Sequence, residues 1–149
     1  GAFALIIVAA TAQADDGLVL KKSANDFATT LSTLQAQIDA RGLTTFAVVD
    51  HAAGAKQAGA ELRPTTLVIF GSPKLGTPLL AIGQTAGLDL PMRVLVYEDA
   101  EGEAWVSYWP PMQIAMTHGI PADLEAIGTM TNGLASITDR AIGKEPIEQ

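Results

Sequence analysis

His51 and His118 are the only imidazoles in the 149 residues, and they are the first place to look for chemistry. Brought together by the fold, with Asp50, Glu98 or Asp99 beside them, they would supply the donors of a metal site. With Met112 or Met116 nearby, axial ligation of haem and a redox accessory role would follow. The spacing gives this little support: there is no His-x3-His or Glu-x-x-His pattern and no Cys-x-x-Cys-His attachment site. His51 also reads as a first-turn helix residue, and His118 as a cation at a helix C-terminus.

The segment from Gly71 through Ser72, Lys74 and Gly76 to Thr77 is a second candidate. It follows an apolar run and precedes a helical pattern, so its backbone N–H groups, the Lys74 ammonium and the Thr77 hydroxyl could converge on a small anion. It is not a P-loop, because Gly76 is followed by Thr77 and Pro78, not by Lys and Ser or Thr. The same glycines and prolines equally serve a tight connection. Ser72 lacks the Gly-x-Ser-x-Gly elbow of a serine hydrolase.

Among the carboxylates, Asp50 fits a helix cap and Glu98-Asp99 a solvated turn, so with Glu61 they name no acid–base pair. Trp105, Tyr108 and Trp109 gather beside Pro110 and Pro111, a composition suited to a protein interface.

Composition narrows the options. The absence of cysteine removes disulfides, thiolate nucleophiles and iron–sulfur clusters. A net charge of −7 and only nine Lys and Arg argue against nucleic acid and anionic lipid surfaces. Residues 1–14 carry no charge; an apolar run from Ala2 to Ala10 leads to Ala12-Gln13-Ala14, the form of a secretory leader with its cleavage site. A buried first strand from Phe3 to Val8 is the other reading. The expectation is a periplasmic or secreted chain with a leader over 1–14, one domain over 15–143 and a tail over 144–149. No later stretch has the roughly 18 apolar residues of a membrane span.

The elements that must position these residues follow from periodicity. Leu18 to Lys22 reads as a strand, and Ser23 with Asp26 as a capping box. Phe27, Leu31, Leu34 and Ile38 share one helical face, closed by Arg41-Gly42. Strands are expected over 43–49, 65–70, 92–98 and 104–108, the unbroken apolar run 65–70 being covered on both faces. Asp50 caps a small-residue helix over 51–62, and Thr77-Pro78 opens another to about Gln84. A short helix spans 112–118, and Pro121 opens a final one bearing Leu124, Ile127, Leu134 and Ile137. These predict an α+β fold: one mixed sheet of about five strands with helices packed on it.

Five linked segments carry a resemblance: Phe46 to Ala53, Glu61 to Thr65, Val68 to Leu79, Leu90 to Asp99, and His118-Gly119. In order and spacing they resemble the domain-of-unknown-function 302 family. The resemblance implies an α+β fold and a tendency to form homodimers, with no established activity. The resulting expectation is a non-catalytic accessory or small-ligand-binding domain, with no cofactor required, whose pocket lies at Gly71 to Thr77. The alternatives are the His51–His118 metal or haem site and a ligand-free dimeric interaction module docking through Trp105, Tyr108 and Trp109.

Overall fold

The structure, a computed structural model, describes residues 17–144, so the expected leader and most of the expected tail lie outside the described residues. Eleven segments follow one another: β1 (Val19–Lys22), α1 (Phe27–Ala40), β2 (Thr44–Asp50), α2 (His51–Gln57), β3 (Thr65–Gly71), α3 (Pro73–Ile82), a 3-10 helix (Gln84–Leu88), β4 (Met92–Glu98), β5 (Ala104–Tyr108), α4 (Pro111–His118) and α5 (Glu125–Ala141).

The strands form one sheet in the order β1-β5-β4-β3-β2. This is the expected α+β architecture, but every pairing among the described residues is antiparallel, not mixed. The reason is the length of the connections. Neither α2 nor the α3 and 3-10 pair carries the chain to the far end of the sheet, so β3 and β4 each start where the preceding strand ended. Only α1 crosses: it takes the chain from one edge to the other and touches β2, β3, β4 and β5 on the way.

The helices cover one face. Thr66, Val68 and Phe70 of β3, Met92, Val94 and Val96 of β4, and Val106 and Tyr108 of β5 point into this layer and are buried. They meet Leu34 and Ile38 of α1, Leu79 of α3 and the Ile127–Met130–Leu134–Ile137 stripe of α5. β3 is internal, as its apolar run predicts, but it is not covered on both faces. Thr65, Leu67 and Ile69, which alternate with the buried residues, stay half-buried on the open side.

Several boundaries correct the sequence expectation. Asp26, not Ser23, caps α1, its Oδ1 accepting from the Thr29 N–H at 2.8 Å. Ser23 is buried, its Oγ 2.7 Å from Thr30 Oγ1. α2 ends at Gln57 because Gly59, at φ 81°, turns the chain, and the Ala60 N–H reaches back to the Ala55 carbonyl at 2.9 Å. α3 starts at Pro73 under Ser72, four residues before Thr77-Pro78, which is inside the helix. α5 starts at Glu125, with Pro121 confined to the preceding turn.

Lys21 fastens the β1 edge to the helices. Its Nζ lies 2.8 Å from Thr138 Oγ1 and 2.9 Å from Asp139 Oδ1, and 5.5 Å above the Tyr108 ring.

Candidate functional site

The end of β3 feeds directly into α3, and this junction shapes a cavity of about 330 Å³. Gly71, Ser72, Pro73, Leu75 and Gly76 form one wall, Leu90, Pro91 and Met92 another, and Phe46, Leu80 and Met130 reach in from β2, α3 and α5. Phe46 reaches it from the bulge that interrupts the β2–β3 register between Thr45 and Ala47, and it is 54% exposed. Gly71, Gly76 and Gly87 keep three stretches of the wall free of side chains.

Four of the five expected ligand residues, Gly71, Ser72, Gly76 and Thr77, line this cavity, but not as an anion nest. The Lys74 N–H donates to Ser72 Oγ at 3.3 Å, and the Leu75 and Gly76 N–H groups both donate to the Ser72 carbonyl at 3.0 Å. Pro73 has no N–H, so the first turn of α3 satisfies its own donors. Lys74 is exposed and does not line the cavity. Ser72 and Thr77 are the only polar side chains in that lining among the described residues. The cavity therefore suits an apolar body with at most a hydroxyl-sized polar contact.

The two histidines are not brought together. His51 follows Asp50, which pairs with Thr66 at one end of β3. His118 bonds Asp89, close to Met92, which pairs with Phe70 at the other end. Four residue-to-residue steps along β3 separate those ends, about 13 Å at roughly 3.3 Å per step. No group of three or more His, Cys, Asp or Glu suited to a metal ion occurs among the described residues. Met112 and Met116 are both exposed on α4.

His118 instead sits in a side-chain chain that the sequence did not reveal. Its Nε2 lies 2.5 Å from Asp89 Oδ2, and its Nδ1 2.9 Å from Thr85 Oγ1. Arg93 Nη2 reaches the other Asp89 oxygen at 3.3 Å. Asp89 and Arg93 also border a smaller cavity of about 160 Å³, with Trp109 and Gln113 opposite.

The aromatic trio is divided by strand parity. Trp105 lies on the open face and donates its indole N–H to Asp99 Oδ2 at 2.7 Å. Tyr108, three residues on, is buried on the helix side, and Trp109 beyond the strand is 45% exposed. Of the three, Trp109 alone presents a broad free surface.

Two of the other carboxylates, Asp50 and Asp99, hold local structure. Asp50 caps α2 through the Ala53 N–H at 2.9 Å. Asp99 accepts from the N–H groups of Glu101 and Glu103 as well as from Trp105, and the Trp105 bond leads the contacts that hold its carboxyl below the usual carboxylate range. Burial, with Asp99 nearby, pushes the Tyr97 phenol upward.

The model of the Domain of unknown function DUF302 matches residues 19–137. The chain belongs to the DUF302 family. A crystal structure of an uncharacterized conserved DUF302 protein from Bacillus stearothermophilus shares the fold, with a TM-score of 0.75 at 17% identity over 84% of this chain and 98% of that one. DUF302 sequence similarity also extends to longer curated proteins. The chain is 41% identical over 131 residues to a Fluoride-specific ion channel FluC 1 of Brucella suis, covering 87% of this chain and 51% of that protein. The same identity and length relate it to a Fluoride-specific ion channel FluC 1 of Brucella abortus, of which 48% is covered. The chain thus spans about half the length of the curated relatives it matches.

Proposed function

We propose that this DUF302 chain is an exported accessory module that holds a small, mainly apolar ligand in the cavity between β3, α3 and the 3-10 helix. The cavity itself carries the reading: about 330 Å³ of space at a strand-to-helix junction, walled by Leu75, Leu80, Leu90, Met92 and Met130 with three glycines. Such a volume falls in the range of small-molecule sites. Its lining among the described residues is apolar apart from Ser72 and Thr77, which favours binding over chemistry there.

The test is native mass spectrometry of the protein purified from a periplasmic fraction without added ligand. A retained small molecule, lost in Gly76→Leu, supports the reading. A ligand-free chain whose melting temperature is unmoved by a panel of small apolar compounds ends it. Recovery of the chain only from the cytoplasm would separately remove export, which rests on the leader-like residues 1–14.

The longer relatives favour a second reading, an accessory to an ion channel. A pore needs spanning helices or a closed barrel. Among the described residues no helix is long and apolar enough to cross a membrane, and the sheet is open. On this reading the pore of the Brucella proteins lies in the half that this chain does not match, with the matched half as its accessory. Deleting that half from the Brucella suis protein should alter fluoride efflux while the remainder still inserts; unchanged efflux counts against the reading.

Self-association is proposed through Trp109, the exposed member of the aromatic trio. Sedimentation should show a dimer that Trp109→Ala weakens, and a monomer in both forms discards it.

A further inference from the structure

We infer that Thr85, His118 and Asp89 form a nucleophilic site at which Thr85 Oγ1 accepts an acyl group from small activated esters. The site lies outside the proposed binding cavity, which neither Thr85 nor His118 lines.

The donor inventory fixes the direction of the chain. An ionised carboxylate only accepts hydrogen bonds, so at 2.5 Å His118 Nε2 carries a proton and donates it toward Asp89. Neutral imidazole has one N–H, which leaves Nδ1 as an acceptor. In that neutral form the partner of Nδ1 at 2.9 Å, the Thr85 hydroxyl, is the donor. This is the order of nucleophile, general base and orienting carboxylate, with the two ring nitrogens exchanged relative to the usual arrangement.

Exposure is distributed as such a site requires. The His118 side chain is 6% exposed, so the base is shielded from water. Thr85 is exposed, so its oxygen is reachable. Arg93 holds the second Asp89 oxygen and restrains the carboxylate from turning away. A latch between the 3-10 helix and α4 would need only the Asp89–His118 bond; the Thr85 hydroxyl adds a bond aimed at the one ring nitrogen left free to accept.

The step balances without a cofactor. Thr85 Oγ1 attacks the ester carbonyl carbon as its proton passes to His118 Nδ1. The carbon–oxygen bond to the leaving alcohol breaks, and that alcohol takes the proton from Nδ1, leaving an ester on Thr85 and a neutral imidazole. Thr85 and His118 are the catalytic residues, and Asp89 is a positioning residue.

The test treats the full chain with p-nitrophenyl acetate and locates the acetyl group by peptide mass spectrometry. The expected result is acetylation at Thr85 that disappears in Thr85→Val, persists at position 85 in Thr85→Ser, and slows by about 100-fold or more in His118→Gln. Asp89→Asn separates positioning from structure. With its amide oxygen held by Arg93, its N–H faces Nε2 and donates to it, which puts the imidazole proton on Nδ1 and abolishes the base, so the rate should fall comparably while the melting temperature changes little. No acetyl group on Thr85, or equal acetylation rates in wild type and Asp89→Asn, overturns the assignment.

Discussion

A Cβ on Gly83 would lie 2.7 Å from the carbonyl oxygen of His118 and 3.4 Å from Ile120 Cγ1. The first neighbour is backbone, so it cannot swing aside as a side-chain tip would. The approach of the 3-10 helix to α4, and with it the spacing of Thr85, Asp89 and His118, depends on this glycine.

Gly83→Ala must therefore push the 3-10 helix off α4. A loss of about 1–3 kcal/mol in unfolding free energy is expected from overpacking of this kind, measured by urea denaturation. The same variant should lose Thr85 acetylation even where it remains folded.

Gly76 offers the opposite case. A Cβ there would meet only Leu90 Cδ1, at 3.9 Å, and Gly76 lies inside α3. Gly76→Leu should fill the cavity and stabilise the helix by up to about 1 kcal/mol. Calorimetry would then show a melting temperature at or above that of the wild type and no response to an apolar ligand that shifts the wild type.

The Asp99–Trp105 bond predicts a pH signature. The carboxyl of Asp99 titrates lower in the folded chain than its ordinary value, chiefly because of the indole N–H. Its contribution is therefore present above the unfolded carboxyl range and fades as pH falls through the folded value. Trp105→Phe should be less stable than wild type at neutral pH, and the gap should narrow toward strongly acid pH. Parallel denaturation curves across that range measure it; a gap independent of pH would contradict this cause.

Ser23 and Thr30 make a buried hydroxyl pair, and Ser23 Oγ also accepts the Asn25 N–H at 3.0 Å. Ser23→Ala leaves that N–H without its acceptor and should cost about 1–3 kcal/mol by denaturation, several times what an exposed serine would.

Local patterns read well from the sequence. The faces of α1 and α5, the Asp50 cap and the five strands follow from periodicity and capping, because each depends on residues within a few positions of one another. Where two local signals competed, the reading slipped. Ser72-Pro73 and Thr77-Pro78 both have the form of a helix start, and the earlier one takes the helix once β3 ends at Gly71. The candidate sites were less legible for the same reason extended in space. His51 and His118 look like a pair only until the strand register separates them. Thr85 and Asp89 look ordinary until α4 lays His118 against them, and no spacing in the chain announces a contact made across about 30 positions.

The antiparallel seam between β1 and β5 sets Val19 opposite Tyr108. During synthesis the first of these strands leaves the ribosome long before its partner exists. Until then the Val19–Lys22 backbone has water as its hydrogen-bond partner where β5 will later stand. A strand of four residues carrying two lysines is a poor template for foreign chains during that interval, and Lys21 finds Asp139 and Thr138 only once α5 has been made.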